Sequence, residues 1–367
     1  MIKPRKIVEE MQAYPAPSEG RYDRVRLDFN ENTQGFPEAY PEGIAASAVS
    51  AYPEYGEFLR KAATEFGVRE DQFVITNGSD EGLILVALTF VDPGDRAVLS
   101  KPCFVVMPHC LKLAGAKIDE VTVTEDLRFD LEGLEAKFQG AKVAMFATPE
   151  NPTGDVIPSA VIEKWCAKFP ETLFVIDEAY GDYAEAAGRG SQSLTPAPTV
   201  SGNEFSSVLH LIDKYENLLV MRTFSKAWGM AGFRLGLLFG CPALIDFIRR
   251  VKLPYSVNSA AVATATKLLD QADAVKKHAR ETMHRKARIQ DELTKRGYKL
   301  ITGKANSFLM VLAPEQAAEF EAVARSKGVL VRRRDQRYIR VSVGTEKEMA
   351  LLMDVVTQFE KSLVVQK

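Results

Sequence analysis

The chain has 367 residues, 46% hydrophobic and 26% charged, and its 47 basic and 49 acidic side chains leave a net charge of -2. That length predicts two domains or one large α/β unit, and the balanced charge gives no reason to invoke nucleic acid or an acidic membrane surface. The longest apolar run, Leu83 to Val91, is too short for a bilayer and the first residues carry no apolar signal core, so a cytoplasmic protein is expected.

Residues 1–35 read as an arm: a short helix over Ile7 to Gln12, the segment Tyr14-Pro15-Ala16-Pro17, a strand over Val25 to Phe29, and the polar turn Asn30-Glu31-Asn32. Tyr52 sits in a Pro/Gly turn, where packing is its ordinary role, ahead of a helix over Phe58 to Phe66. A strand over Phe73 to Thr76 then runs through Asn77-Gly-Ser-Asp-Glu-Gly82 into an apolar helix from Leu83. Such a strand, glycine turn and helix N-terminus aim free N–H groups at one point, which suits a phosphate; Ser79 or Asp80 serves equally as a plain helix cap. Next come a strand over Arg96 to Ser100 and a bend at Pro102-Cys103-Phe104, where Phe104 reads as a stacking ring or a core residue.

Lys142 to Ala147 reads as a buried strand closed by Thr148-Pro-Glu-Asn-Pro-Thr-Gly154, and Ser159 to Lys168 as a helix. Leu173 to Ile176 is continuously apolar, as in a central parallel strand, and ends on Asp177-Glu178-Ala179-Tyr180. Ligands of open α/β sheets bind at strand carboxyl ends, so a carboxylate there faces a ligand cation or caps the next turn. Residues 184–206, rich in Gly, Ser, Pro and Thr, read as an added surface loop.

Ser259 to about Lys295 reads as one long helix with a solvated, charged face. A compact α+β unit follows: strands over Ser307 to Leu312, Val329 to Arg333 and Tyr338 to Val343, and helices over Ala317 to Lys327 and Glu346 to Ser362. Arg332, Arg333 and Arg334 alternate across a strand and cannot all face one pocket, while Arg340 lies within an apolar strand and needs an anion or solvent. Cys103, Cys110, Cys166 and Cys241 form no C-x-x-C pair, and the four histidines lack zinc spacing, so no disulfide framework and no metal site are expected.

The stretch from Arg222 to Gly236 holds most of the chemistry. An apolar run, Leu218 to Met221, leads in and another, Leu235 to Phe239, leads out. Between them Lys226 stands among Phe224, Ala227, Trp228 and Met230. A lysine in apolar company loses proton affinity and can attack a carbonyl; a lysine that snorkels to water is the plainer reading. Ser225 and Arg234 add a hydroxyl and a permanent cation, the parts needed to hold a phosphate.

The run Thr-Phe-Ser-Lys-Ala-x-Gly-x-Ala-Gly-x-Arg-x-Gly resembles the cofactor-lysine signature of the class I and II pyridoxal-phosphate aminotransferases. Asn-Glu-Asn, Tyr-Pro, Asn-Gly-Ser-Asp-Glu-Gly, Pro-x-aromatic, Asn-Pro-Thr-Gly, Asp-Glu-Ala-Tyr, Asn-Ser-Phe and Arg-Val-Ser-Val-Gly occur in the family's order over nearly the whole chain. The Tyr-Pro arm and the Asn-Glu-Asn turn are similar to the branch around histidinol-phosphate aminotransferase, although Thr33 stands where that branch usually has proline.

The resemblance implies an α/β, fold type I architecture: an arm at 1–39, a large domain with a mostly parallel sheet and helices on both faces at 40–260, and a small α+β domain at 261–367. It also implies a homodimer with active sites at the interface. It assigns Lys226 to hold pyridoxal 5′-phosphate covalently and to move the α-proton, Asp177 to the ring nitrogen, Asn151 and Tyr180 to the ring's 3′-oxygen, and Phe104 to the ring face. Ser79, Asp80, Thr223, Ser225 and Arg234, with Tyr52 from the partner chain, would hold the phosphate. Tyr14, Tyr255, Asn306, Arg332 and Arg340 are the substrate candidates. The resemblance implies a small-molecule amino donor and a 2-oxo acid acceptor as substrates, first among them histidinol phosphate and 2-oxoglutarate. The other readings are an aromatic-amino-acid aminotransferase, a phosphothreonine decarboxylase of the same fold, and a non-catalytic cofactor-sensing module, for which the arm is too short to supply a DNA-binding domain.

Overall fold

The computed structural model describes residues 4–12, 20–43, 49–188 and 205–365. Its strands are β1 (Val25–Arg26), β2 (Phe73–Thr76), β3 (Arg96–Lys101), β4 (Lys117–Thr122), β5 (Val143–Ala147), β6 (Leu173–Asp177), β7 (Leu218–Thr223), β8 (Gly236–Gly240), β9 (Lys299–Thr302), β10 (Ser307–Val311), β11 (Val329–Leu330), β12 (Arg332–Arg334) and β13 (Tyr338–Ser342). A seven-stranded sheet runs in the order β2-β8-β7-β6-β5-β3-β4. Only β8 runs against its neighbours.

The continuous apolar runs become central strands because both faces of this sheet are covered. Successive side chains point to opposite faces, so Ala144, Phe146, Phe174, Ile176, Leu218 and Val220 enter one core. Val143, Met145, Leu173, Val175, Leu219 and Met221 enter the other. The first core is closed by helices Gly56–Phe66, Ser159–Lys168 and Ser259–Leu269, the second by Gly78–Phe90, Val106–Ala114 and Pro242–Val251.

A smaller antiparallel sheet, β12-β13-β10-β9, carries a third core that includes Leu27, Ile289, Phe308, Phe320, Ile339 and Phe359. The arm belongs with it: β1 pairs in parallel with β11, and the Leu27 carbonyl accepts the Ser342 N–H at 2.9 Å.

Several boundaries differ from the sequence expectation. The arm strand spans only Val25–Arg26. The long helix after Ser259 is two helices, Ser259–Leu269 and Ala272–Lys295, with the break at Asp270 and Gln271. The second of them crosses from one core to another, with Val275 and Ala279 in the first and Ile289 and Leu293 in the third. The strand expected over Val329 to Arg333 divides, β11 pairing with the arm and β12 with β13. The start of the expected loop at 184–206 is helical, as part of Gly181–Gly188, because its Ala-rich residues pack Tyr183 and Ala184 into the interior; residues 189–204 lie outside the described residues.

The two sheets meet through bare backbone. Lys304 N–H donates to the Gly154 carbonyl at 2.7 Å, and a methyl group placed on Gly303 would come within 2.0 Å of that oxygen. Lys286, 2% exposed, holds the same loop by donating to the carbonyls of Gly303 (2.6 Å) and Ala305 (2.7 Å). Gly303→Ala is therefore expected to lower unfolding free energy by about 1–3 kcal/mol in denaturant titrations. Gly232→Ala, where a methyl group meets nothing within 4 Å, should change it by less than about 0.5 kcal/mol. Equal effects at the two positions would mean that the backbones part freely here.

Candidate active site

β5, β6 and β7 run parallel, so their carboxyl ends share one edge of the sheet, and the loop after β7 places Lys226 there. The lysine's apolar neighbours are buried as anchors: Phe224 packs on Trp228 at 4.7 Å and on Phe58 at 5.9 Å between ring centroids, and Ala227 and Met230 are closed off from solvent. Lys226 itself is half-buried. Its Nζ donates to the Phe29 carbonyl at 2.8 Å and stands 5.7 Å from the Tyr180 ring centre. The apolar company read around this lysine thus holds the loop, and the amine meets a polar roof supplied by the arm.

That roof is the Asn-Glu-Asn turn. Asn32 Nδ2 donates to the Ala227 carbonyl at 3.1 Å, and its Oδ1 accepts the N–H groups of Gln34 and Gly35. Asn30, at φ +54°, takes a left-handed conformation that asparagine tolerates. Its side chain donates to the Tyr180 hydroxyl at 3.1 Å and accepts from Ser342 Oγ at 2.8 Å. Asn306, fully buried, donates to the Asn30 carbonyl at 3.2 Å. In that bond the Tyr180 hydroxyl is the acceptor, and a phenol can donate as well.

One end of this region gathers groups that favour an anion. The helix expected from Leu83 starts at Gly78, whose φ of +72° turns the chain directly out of β2, so Ser79 and Asp80 lie in the first turn; its cap residue, Asn77, makes no side-chain capping bond. Free N–H groups and the positive end of a 13-residue helix therefore point here. Arg234 donates to Ser225 Oγ and to Asp80, both at 3.1 Å, and Thr223 Oγ1 accepts the Ser225 N–H at 3.1 Å. The Arg234–Asp80 pair is half-exposed, at 41% and 48%, which makes it worth about 0–1 kcal/mol and readily exchanged.

The other end holds buried carboxyls. Asp177, 2% exposed, accepts only the Ala179 N–H at 2.9 Å among the described residues. Burial pushes it up to about 7, with Asp80 and Glu178 adding to the rise while the Ala179 N–H and Lys226 oppose it. Glu178, next in the chain, is fully buried but compensated by Arg222 at 3.1 Å, Ser207 at 2.7 Å and the Val208 N–H at 2.8 Å. Glu150, passed over in the sequence as a turn residue, is a further buried carboxyl at this end.

Arg340 is 1% exposed, and its guanidinium donates to Asn151 Oδ1 at 2.5 Å and to the Asp28 carbonyl. Burial, then Arg334 and Arg332, lower it to about 10, so it stays charged at neutral pH. Arg332 pairs with Arg340 across the strands and lies 5.5 Å from the Phe29 ring centre, while Arg333 turns away to Glu321 at 3.1 Å. The alternation read from the sequence is thus resolved, with Arg332 and Arg334 on the side of Arg340.

Not every expected residue joins this cluster within the chain. Tyr52 is 76% exposed and stacks on Tyr255, itself 53% exposed, at 4.4 Å. Phe104 is half-buried against the second core. Tyr14 lies outside the described residues. Among the described residues no group of His, Cys, Asp or Glu is arranged to hold a metal ion, and no helix is long and apolar enough to cross a membrane.

Residues 23–356 match the family profile described as Aminotransferase class I and II. The chain is 32% identical over 340 residues to histidinol-phosphate aminotransferase 1 of Mannheimia succiniciproducens, covering 90% of this chain and 88% of that protein. It is 34% identical over 356 residues to the histidinol-phosphate aminotransferase of Symbiobacterium thermophilum, covering 94% and 92%. The crystal structure of histidinol-phosphate aminotransferase from Sinorhizobium meliloti in complex with pyridoxal-5′-phosphate superposes with a TM-score of 0.82 at 21% identity over 99% of both chains. The lysine loop, the mostly parallel sheet and these matches agree: the chain belongs to the class I and II aminotransferases, pyridoxal-phosphate-dependent enzymes of fold type I.

Proposed function

We propose that this aminotransferase moves the amino group of histidinol phosphate to 2-oxoglutarate, giving imidazole acetol phosphate and glutamate in histidine biosynthesis, as a cytoplasmic homodimer. The observation that carries the reading is the gathering of Arg332, Arg334 and Arg340 beside Asn151 and the arm. A phosphate dianion with three acceptor oxygens gains more from several guanidinium groups than one carboxylate does. The names of the curated relatives support the same substrate. On this reading the arm is 1–39, the cofactor domain 40–260 and the small domain 261–367.

The residues present fit pyridoxal 5′-phosphate. A methyl group at Gly78 would strike Arg234 at 2.6 Å and one at Gly236 would strike the Ser79 nitrogen at 2.9 Å, so backbone and cation are pressed around a space for an anion. Asp177, buried with no ion pair among the described residues, suits a ring nitrogen that carries a proton. When bound, this cofactor supplies a carbonyl that condenses with amines and a cationic ring that draws electrons from the donor's α-carbon.

Ser79 and Asp80 through their N–H groups, with Thr223, Ser225 and Arg234, hold the phosphate, and the exposed Tyr52 serves the neighbouring subunit's site. Asn151 and Tyr180 hold the ring's 3′-oxygen, and Phe104 lies against the ring. Lys226 holds the cofactor through Nζ and, once released, takes and returns the α-proton at that atom. Tyr14, Tyr255, Asn306, Arg332 and Arg340 orient the substrate.

Asp177→Asn should cost about two to four powers of ten in kcat/KM, because an amide cannot keep the ring nitrogen protonated. In the unfolded chain the Asp177 carboxyl ionises near its ordinary value of about 4, in the folded cofactor-free chain only near 7. Its contribution to stability is therefore full below about pH 4 and is lost as pH rises towards about 7. Thermal melts of cofactor-free protein at about pH 5 and about pH 8 should differ less for Asp177→Asn than for wild type. An unaltered difference would mean that the carboxyl ionises normally.

The substrate is tested by comparing kcat/KM for histidinol phosphate, phenylalanine and tyrosine with 2-oxoglutarate as acceptor. Histidinol phosphate should lead by at least about tenfold, or roughly 1.4 kcal/mol of differential transition-state binding. Arg332→Ala should erase most of that lead, while Arg340→Ala, which also frees Asn151, should depress all three donors. A lead for phenylalanine or tyrosine would make an aromatic-amino-acid aminotransferase the better reading.

A further inference from the structure

Glu150 precedes Asn151 in the turn after β5, the strand that lies between β3 and β6. A glutamate in a Pro/Asn turn ordinarily points to water, yet this one is 1% exposed. Its Oε1 accepts the Asn151 N–H at 2.7 Å and its Oε2 accepts the Ser100 hydroxyl at 3.2 Å. The backbone N–H of Phe104 also interacts with the carboxyl, and Asp177 lies near enough for its charge to be felt. One side chain thus links the bend after β3 to the turn after β5, and the transamination chemistry above makes no use of it.

We propose that Glu150 is a positioning residue whose carboxyl bridges the Ser100–Phe104 bend to the backbone of Asn151, setting the spacing between the Phe104 ring and the Asn151 amide. This rests on the reading that those two groups hold the cofactor ring. A ring clasped between groups on two separate strands is held in register only if the strand ends are fixed to each other, and at the sheet's edge no ladder hydrogen bond does so. Leu99 and Met145 are the last residues that β3 and β5 pair with each other, so beyond them these two segments are joined by side chains.

The environment favours the uncharged carboxyl. Burial pushes Glu150 up to about 8, the Asn151, Ser100 and Phe104 donors pull it down, and the charge of Asp177 adds to the rise. A neutral Glu150 leaves Asp177 as the anion that answers a cationic ring. A glutamine has the same shape and no charge, and its amide can accept from Asn151 and donate to Ser100 Oγ. The bridge therefore survives Glu150→Gln and is cut by Glu150→Ala.

The test is the dissociation constant of pyridoxal 5′-phosphate for the full chain, measured by equilibrium dialysis, with the visible absorption band recorded for each variant. Glu150→Ala should bind about tenfold more weakly, Ser100→Ala about threefold, and Glu150→Gln within about twofold of wild type. The double variant Ser100→Ala/Glu150→Ala should be no weaker than Glu150→Ala, because both changes cut one bridge. The band of Glu150→Gln should match wild type and that of Glu150→Ala should shift. Wild-type affinity in Ser100→Ala and Glu150→Ala, additive losses in the double variant, or a glutamine variant as weak as the alanine variant would overturn the proposal. If Glu150→Ala does not fold, Ser100→Ala and Glu150→Gln decide, and an unaffected Ser100→Ala overturns it. A wild-type chain that takes up no cofactor on Lys226 would instead sink the reading beneath it.

Discussion

A buried guanidinium holds this site together. Removing Arg340 from water costs several kcal/mol unless its N–H groups find acceptors. The acceptors come from parts of the chain far apart in sequence: Asn151 Oδ1 beyond β5 and the Asp28 carbonyl in the arm. One side chain of the small sheet therefore fastens the large sheet and the arm to itself. The arm in turn carries Phe29, whose carbonyl receives Lys226, and Asn30, which reaches Tyr180, Ser342 and Asn306. Nε of Arg340 is left without a hydrogen-bond partner among the described residues, so the cation retains donor capacity towards a ligand.

The carboxyls at the strand ends divide by how they are compensated. Glu178 is fully buried with an arginine, a hydroxyl and a backbone N–H, and Ser207, Val208 and Arg222 are fixed by it. Asp177, its neighbour in the chain, has a single backbone donor among the described residues. A structural carboxylate would show the first pattern, and a carboxyl that waits for a cationic partner shows the second. The anion end follows the same logic, since the Arg234–Asp80 pair is too exposed to be strongly stabilising and can give way to a phosphate.

The main sheet was legible because β5, β6 and β7 are uninterrupted apolar runs with both faces buried, a pattern that needs no distant information. The start of the helix after β2 was missed because Gly78 turns the chain earlier than the apolar run suggests. Residues Val329 to Arg334 change partners from the arm to β13, and nothing local announces that an arm strand some 300 residues away will take the first two. Asn30, Asn151, Asp177, Tyr180 and Arg340 were legible as residues, but the bonds from Asn30 to Tyr180 and from Arg340 to Asn151 join parts of the chain 150 and 189 positions apart. Glu150 left no signal, because its second partner, Ser100, is 50 positions away. The apolar residues around Lys226 were read as its surroundings, whereas successive side chains of a loop point in different directions and these serve the core.

Borohydride reduction of the purified protein, followed by proteolysis and mass spectrometry of the modified peptide, tests the central claim most directly. Convergence of the arm and both sheets on one amine predicts that the reduced cofactor is found on Lys226, in the peptide that contains Phe224 and Trp228, and that Lys226→Ala carries no adduct. An adduct on another lysine, such as the buried Lys286, would contradict the account.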